Sequence, residues 1–342
     1  MRFYRWIGAI LLMAALLALA QASAVQETDA QRFKKTYDVG GAQLVFDAQV
    51  DRPVHTDAQP VLVRYAEWTP ERLNGVFLEG RGVEMDVVRE HIEYVGADGT
   101  YMAADPQGFV QYKSAAISGD HAVRLYADAC DGLDERGAVD GYPFEEALAQ
   151  IRALCDRMGA TFVVKSYSAI DSQALSESYR GIMRPGSGQT LPPEPPQPPE
   201  GYTVYLEFLY EGLSLMQIPN TLNTLNDYAL GSAAIVYVTR DEGVISFLCA
   251  PLCVMYDVLE TSPDAAKPSI SMEQAVEAVV KQFSRVIARG MVGFERIAYE
   301  YVPVPVRKQL GQFRLMPAWC FYRAGGADEP TFVNALSGKV IE

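Results

Sequence analysis

Residues 269–302 read "SISMEQAVEAVVKQFSRVIARGMVGFERIAYEYV", a helix pattern that changes into a strand pattern. Apolar residues recur at intervals of three and four as far as Gly290, which predicts an amphipathic helix that ends there. Ser271 and Gln274 stand at capping-box spacing at its start. From Phe294 onward aromatic and β-branched residues are frequent, as they are in strands. The stretch therefore predicts a sheet that is covered on one face by a helix.

Two earlier segments also begin as helices. In "WTPERLNGVF" Thr69 is a predicted N-cap, and Pro70 suits the first helical position. The segment 144–158 carries one apolar stripe, and Gly159 follows it where a C-terminal cap is expected. Each helix is predicted to lie against the strand patterns that follow it.

The strand patterns predict antiparallel pairing. The clearest is "AAIVYVTRDEGVISFLC" (233–249), in which two β-rich runs flank a short turn with glycine at Gly243. We therefore predict an α+β fold of two or three domains, with antiparallel sheets each packed by a long amphipathic helix. The proline-rich stretch 185–201 is predicted to be an extended loop or linker. The predicted domains are an N-terminal α+β domain at 36–125, a middle one at 126–262 and a helix-plus-sheet module at 263–342.

The first 24 residues have the pattern of an export signal. Two arginines precede an apolar stretch from Ile7 to Ala20, and small residues favour cleavage between Ala24 and Val25. Residues 25–35 are polar and predict a tether. An uncleaved anchor is the alternative, but the apolar stretch is short for a membrane-spanning helix. We expect a protein that is exported to the cell envelope or medium, without stable membrane insertion after cleavage.

The composition favours a globular protein with an acidic surface. Apolar residues make up 49% of the chain, and the formal charge is −14 at neutral pH. Such a charge argues against binding to nucleic acid and against adhesion to anionic lipid. It is typical of a soluble acidic protein, and a basic protein partner is the alternative.

The cysteines and histidines do not form a metal-binding or disulfide pattern. An odd number of cysteines excludes complete pairing, and the three histidines lie far apart in the sequence. We expect the thiols to be buried and unreactive, and we expect no metal and no cofactor. The sequence does not decide whether Cys130 and Cys155 form a disulfide. The five cysteines are Cys130, Cys155, Cys249, Cys253 and Cys320.

Catalytic motifs are absent from the sequence. It has no nucleophile elbow, no zinc-protease helix and no phosphate-binding glycine loop. A hydrolase with two carboxylates needs only a spatial pair, and Glu207 and Glu211 are the strongest candidates. The alternative is that both glutamates lie on the solvent-exposed face of a strand and have no catalytic role.

The closing segment "VNALSGKVI", which follows the helix that begins "SMEQAV", resembles the PepSY-type module of exported bacterial proteins. Asn334 stands for the usual Asp and Ser337 for the usual Thr, while Gly338 matches the turn glycine. The resemblance implies a structural turn at these three residues. The patterns Tyr-x-Pro and Leu-x-Pro-Ala-Trp are similar to those of the exported YycH and YycI regulators of a sensor kinase. Those regulators keep a membrane anchor, whereas the start of this chain predicts cleavage.

These observations predict an exported, non-catalytic interaction or regulatory protein of the bacterial cell envelope, whose partner is another envelope protein. The prediction rests on the export pattern, the lack of catalytic motifs and the C-terminal resemblance. The alternatives are a secreted hydrolase that uses paired carboxylates and a carrier that binds a small ligand in an apolar cleft.

Overall fold

The computed structural model describes residues 31–51, 55–117, 137–170, 199–216, 231–249, 253–261, 268–285, 290–325 and 330–341. Strands account for 52% of the structure and helices for only 15%. The predicted fold class is therefore wrong. The described chain forms a mainly β protein with two large sheets and three short helices, and it is not an assembly of sheets that are each covered by a long helix.

In chain order the strands are β1 (Gln31–Val39), β2 (Ala42–Val50), β3 (Val61–Tyr65), β4 (Asp86–Val88), β5 (His91–Val95), β6 (Tyr101–Ala104), β7 (Val110–Lys113), β8 (Thr161–Ile170), β9 (Gly201–Tyr210), β10 (Leu213–Ser214), β11 (Ala233–Thr239), β12 (Gly243–Cys249), β13 (Tyr256–Thr261), β14 (Gly290–Pro305), β15 (Gln312–Arg323), β16 (Thr331–Asn334) and β17 (Val340–Ile341). The helices are α1 (Pro70–Phe77), α2 (Phe144–Met158) and α3 (Met272–Phe283).

The first sheet joins the two ends of the described chain. Its order is β1-β2-β14-β15-β16-β17, and β3 pairs with both β15 and β13. The β2–β14 pair is parallel, so this sheet is mixed and the antiparallel prediction fails for it. The physical reason is that no hairpin turn connects these two strands, and only a short turn would have required an antiparallel arrangement.

The second sheet has nine strands in the order β10-β9-β11-β12-β7-β6-β5-β4, with β8 on the other side of β9. All of its pairs are antiparallel, and the predicted β11–β12 hairpin is confirmed, with Gly243 at φ +70°. The β7–β12 and β2–β14 pairs join different predicted domains. The boundaries at 125/126 and 262/263 stay predictions, although each sheet draws on more than one of these segments.

The caps predicted for α1 and α2 are confirmed. The Thr69 hydroxyl accepts a hydrogen bond from the Arg72 backbone N–H at 3.2 Å, and Pro70 opens α1. Helix α2 ends at Gly159, which adopts the left-handed conformation with φ +71°. Its buried stripe contains Ala147, Ile151, Leu154, Cys155 and Met158.

Helix α3 starts as predicted and ends early. The capping box between Ser271 and Gln274 is confirmed, but the helix stops at Phe283. Gly290, the predicted end, instead opens β14 and pairs with Ala42 of β2. Hydrogen bonds to a neighbouring strand replace the helical ones here, a competition that a helical pattern does not reveal.

Proline in a sheet favours an edge strand, but Pro317 lies inside the first sheet. Pro317 is in β15, which lies between β14 and two other strands. Pairing with β3 ends at Leu315, and pairing with β16 begins at Ala318. The Pro317 carbonyl accepts from the Ala335 N–H at 2.9 Å, so its nitrogen also points away from β14. Proline has no backbone N–H to donate, and in β15 this gap lies between the segment paired with β3 and the segment paired with β16. The hydrogen bonds between β14 and β15 are therefore unaffected.

The predicted export signal and tether occupy residues 1–35. Residues 1–30 lie outside the described residues, and with them the predicted cleavage site between Ala24 and Val25 and most of the tether. The last five tether residues, 31–35, belong to β1. Among the described residues, no helix combines the length and apolar character that a membrane span requires.

The close approach of β9 to β11 generates the first prediction. A Cβ atom on Gly201 would lie 2.1 Å from the Val238 carbonyl oxygen, so Gly201→Ala must push the two strands apart. We expect a loss of about 1–3 kcal/mol in the free energy of unfolding, measured by urea denaturation. The control is Gly75→Ala in α1, where a new Cβ meets nothing within 4 Å and alanine should add about 0.5–1 kcal/mol. Equal stabilities of Gly201→Ala and the unmodified protein would contradict the observed strand spacing.

Candidate functional site

The hairpin formed by β4 and β5, residues 86–95, presents apolar side chains to solvent. Val87, Val88 and Val95 are 56%, 65% and 70% exposed. Strand β4 ends the second sheet, and no strand of the described ranges pairs with its outer edge. We call residues 86–95 the edge hairpin. An open strand edge with exposed apolar residues is a template for another chain.

The edge hairpin turns through two strained residues. Arg89 and Glu90 have φ +51° and +68°, and they form the two-residue connection between the paired Val88 and His91. Positive φ at both positions is the type I′ geometry, which Asn-Gly adopts most easily. A residue with a side chain costs about 1 kcal/mol or more in this region. Strain of this kind concentrates at functional sites, which makes the edge hairpin a candidate for one.

Two acidic residues lie on one face of the edge hairpin, beside Val88 and Val95. The strand register places Asp86 directly opposite Glu93 on the same face as Val88 and Val95. Like charges in directly opposed positions disfavour the pairing of the strands. A cation brought by a partner would relieve that repulsion. The face is therefore suited to a segment that is both apolar and basic.

A second candidate is a group of three charged residues and one tyrosine that we call the buried ion cluster: Asp51, Arg296, Glu300 and Tyr322. Arg296 donates from Nε to Asp51 Oδ2 and from Nη2 to Glu300 Oε1, each at 2.6 Å. The Tyr322 hydroxyl donates to Glu300 Oε2, and the guanidinium lies 4.6 Å from the centre of the Tyr322 ring. Both oxygens of Glu300 are thus occupied. The buried Glu300 carboxylate is thus held by two donors, whereas the side chains of Asp51 and Arg296 stay about one third exposed, at 34% and 33%.

Burial controls the titration of this cluster. Glu300 is buried, and burial raises its pKa above the ordinary value of 4.5, an effect that the Arg296 guanidinium offsets only in part. The negative charge of Glu207 on β9 raises the pKa of Glu300 further. The sequence offered one signal for the cluster, because Glu300 stands inside the apolar run "IAYEYV".

The predicted carboxylate pair is not brought together. Glu207 is buried and forms an ion pair with Lys165 at 2.8 Å, so the expectation of an exposed strand face is wrong for it. Glu211 is exposed in the turn after β9, with φ +47°. Its backbone carbonyl is 2.8 Å from Nε2 of His55. The two residues belong to different environments, one inside the protein and one on its surface.

The C-terminal turn has the geometry of a closed Asx turn. Asn334 Oδ1 accepts from the Leu336 and Ser337 N–H groups, each at 2.9 Å. Ser337 Oγ accepts from the Lys339 N–H at 3.4 Å, and Gly338 has φ +67°. These contacts are all internal to the turn, and they connect β16 to β17.

The thiols lie mostly inside the protein. Cys155, Cys249 and Cys320 are buried, and burial raises the pKa of each; that of Cys155 reaches about 12. Cys130 lies outside the described residues, so its pairing with Cys155 stays open. Within the described ranges, no three His, Cys, Asp or Glu side chains cluster as metal ligands would.

A third candidate is a pocket of about 350 Å³ at the start of α2. The rings of Phe144 and Tyr167 stack at 3.7 Å, and the ring of Tyr202 stands at 74° to Phe144. Burial raises the pKa of Tyr142 to about 12, so its hydroxyl stays protonated and donates to the Thr239 carbonyl at 3.1 Å. We call this the aromatic pocket. Its other lining residues are Gly137, Ala138, Val139, Gly141, Pro143 and Glu145.

No protein-family model matches the chain, and no curated protein matches it. Among solved structures it is similar to an uncharacterised protein from Eubacterium rectale ATCC 33656. The TM-score is 0.56 and the sequence identity 12%, over 91% of this chain and 93% of that chain. At this identity the similarity shows a shared fold and nothing about activity.

The buried ion cluster generates the second prediction. Arg296→Met leaves the Glu300 carboxylate buried without its cation, and we expect it to cost about 3 kcal/mol of unfolding free energy. The double variant Arg296→Met/Glu300→Gln removes both charges and should recover a large share of that loss. Chemical denaturation at neutral pH measures both values. A double variant that is less stable than the single one would show that Glu300 does not depend on Arg296.

The raised pKa of Glu300 sets the direction in which folding stability changes with pH. Because the pKa of Glu300 is raised in the folded state, the folded protein holds this proton more tightly than the unfolded chain. The protein should therefore gain stability relative to Glu300→Gln as the pH falls toward 4.5, and lose it as the pH rises through the raised pKa.

Proposed function

We propose that the chain is an exported, non-catalytic interaction protein of the bacterial cell envelope, and that the edge hairpin is its binding surface. The observation that carries the proposal is the exposure of Val87 and Val88 on β4, whose outer edge no described strand pairs with, and of Val95 on the adjacent β5. Apolar residues presented this way at a sheet edge mark sites of association. Export is supported by the pattern of the first 24 residues.

The partner is an extended segment of another envelope protein that adds a strand to β4. Backbone hydrogen bonds along the edge would supply affinity, and alternate side chains would supply specificity. The acids Asp86 and Glu93 favour a segment with lysine or arginine between apolar residues. Such a segment would place its cations between the two carboxylates and its apolar side chains on Val88 and Val95.

A regulatory role follows from the same surface. The C-terminal sequence motifs "SMEQAV" and "VNALSGKVI" resemble those of the PepSY-type module, and exported regulators of sensor kinases have similar sequence patterns. A regulator of this kind acts by occupancy of a binding surface and needs no catalytic group. The edge hairpin supplies that surface, and the ion pairs and hydrogen bonds of Glu207 and Glu300 explain these acids without catalysis.

The third prediction tests the edge hairpin. Val88→Lys/Val95→Lys should abolish recovery of a specific partner from envelope extracts, because two cations replace the apolar contact on one face of the edge hairpin and repel a basic segment. The matched control is Val258→Lys, a half-exposed valine on β13 of the other sheet. Partners are identified by mass spectrometry after affinity capture.

Two outcomes would contradict the proposal. One is a capture in which the protein recovers no specific partner at physiological salt. The other is a partner that the edge-hairpin variant and the control variant retain equally, since the binding surface would then lie elsewhere.

The aromatic pocket favours a second candidate function, the binding of a small ligand. Its volume is at the lower end of the range for ligand sites, and its rings and Glu145 suit a compact molecule with an apolar body and a positive charge. The fourth prediction is that native mass spectrometry of the purified chain shows a bound small molecule that Tyr167→Ala loses. Phe162→Ala, a change on the same strand outside the pocket, should retain it. A chain without bound mass, which also binds no cationic aromatic compound in a thermal-shift screen, would contradict this function.

A further inference from the structure

The turn between β14 and β15 carries positive charge on an acidic protein. Residues 305–311 read "PVRKQLG", and Arg307, Lys308 and Leu310 are all exposed. Arg314 is exposed just beyond them, on β15. No acidic residue occurs between Glu300 and Asp328, although the chain has 43 acids in all. We call Arg307, Lys308, Leu310 and Arg314 the basic tip.

The basic tip is an ordered turn. The Gln309 N–H donates to the Val306 carbonyl, and the Tyr65 N–H donates to the Gly311 carbonyl, each at 3.0 Å. The Tyr65 ring contacts the buried Phe313 edge-to-face at 5.1 Å, which anchors the turn to the core. The 90% exposure of Leu310 is therefore imposed by the fold, since the turn that presents it is held on both sides.

We propose that the basic tip docks on the surface of an anionic phospholipid bilayer. Leu310 enters the interfacial region, and Arg307, Lys308 and Arg314 contact lipid phosphates. Within the described ranges none of these three cations forms an ion pair, so their charges are available. Cations beside an exposed apolar residue are the chemistry of peripheral membrane contact.

A lipid surface fits this feature better than a protein does. The tip is a convex turn with one apolar side chain, whereas a stable protein interface needs about 800 Å² on each partner and a matching surface. A bilayer adapts to a small protrusion and requires no complementary cavity. The inference is independent of the edge hairpin and concerns surface contact, without a segment that crosses the membrane.

The formal charge of −14 does not prevent this contact. At physiological salt, charges farther away than about 8 Å are largely screened, so the local charge decides. Of the acids on and beside the neighbouring strands, Glu67 pairs with Arg64 and Asp257 with Arg72. Glu260 lies two strands from Arg314, across Leu62, at about 9–10 Å between backbones, which is beyond the screening length. The expectation from composition, that the chain avoids anionic lipid, describes the average surface and does not apply at the basic tip.

The fifth prediction is tested by co-sedimentation with vesicles. The chain from Val25 onward, which lacks the apolar Ile7–Ala20 stretch, is mixed with vesicles of equal parts phosphatidylglycerol and phosphatidylcholine, or of phosphatidylcholine alone. We expect binding to the first and not to the second, and a decrease when salt is raised to 1 M. Leu310→Ser should weaken binding about tenfold or more. Arg307→Gln/Lys308→Asn should weaken it about fivefold for each cation removed.

The control is Met291→Ser. Met291 is a 73% exposed apolar residue at the far end of β14, and its loss should leave vesicle binding unchanged. Lack of binding to phosphatidylglycerol vesicles would overturn the proposal, and so would binding that the tip variants retain. Retention of the unmodified chain on a polyglutamate column, without vesicle binding, would also overturn it and would assign the tip to an acidic protein.

Discussion

The ladder between β14 and β15 is the interaction on which the rest of the structure depends. Strand β14 pairs with β15 on one side and with β2, from the other end of the described chain, on the other. Strand β15 in turn holds β3 and β16. The Tyr301 carbonyl of β14 accepts from the Met216 N–H at 2.9 Å, which ties this ladder to the segment just after β10 of the second sheet. Because these partners are so distant in sequence, loop closure must precede most of the stabilising contacts, and folding is expected to be slow.

The two faces of β14 divide apolar from charged residues. Ile297, Tyr299 and Tyr301 enter the main core, while Arg296 and Glu300 lie on the opposite face with Cys320. A one-residue slip of the register would move Glu300 into the aromatic core. Burial of an ion pair is weak evidence for stability, since desolvation costs about as much as the pair returns. Its clearer role here is to disfavour other registers of β14, an inner strand of the first sheet.

Charge is distributed unevenly over the surface, and its local sign matters more than its sum. The edge hairpin combines exposed valines with opposed acids, and the basic tip combines an exposed leucine with unpaired cations. Both features are hairpin turns that contain non-glycine residues with positive φ, Arg89 and Glu90 in one and Lys308 in the other. A fold of two sheets thus presents two different chemistries at separate turns, and a shared fold does not by itself assign a function to either.

The sequence by itself determined the features that are satisfied within a few residues. The Thr69 cap, the Ser271–Gln274 capping box, the end of α2 at Gly159 and the hairpin at 233–249 depend on local hydrogen bonds and backbone preferences, which the local residues specify. Only the tertiary structure decided which strands pair. It set the parallel β2–β14 contact, the early end of α3 and the mainly β class. It also decided the candidate sites, because the exposure of Val88 and the burial of Glu207 depend on which strand lies beside each. An alternating pattern marks a residue as part of a strand, but the neighbour that covers it comes from elsewhere in the chain.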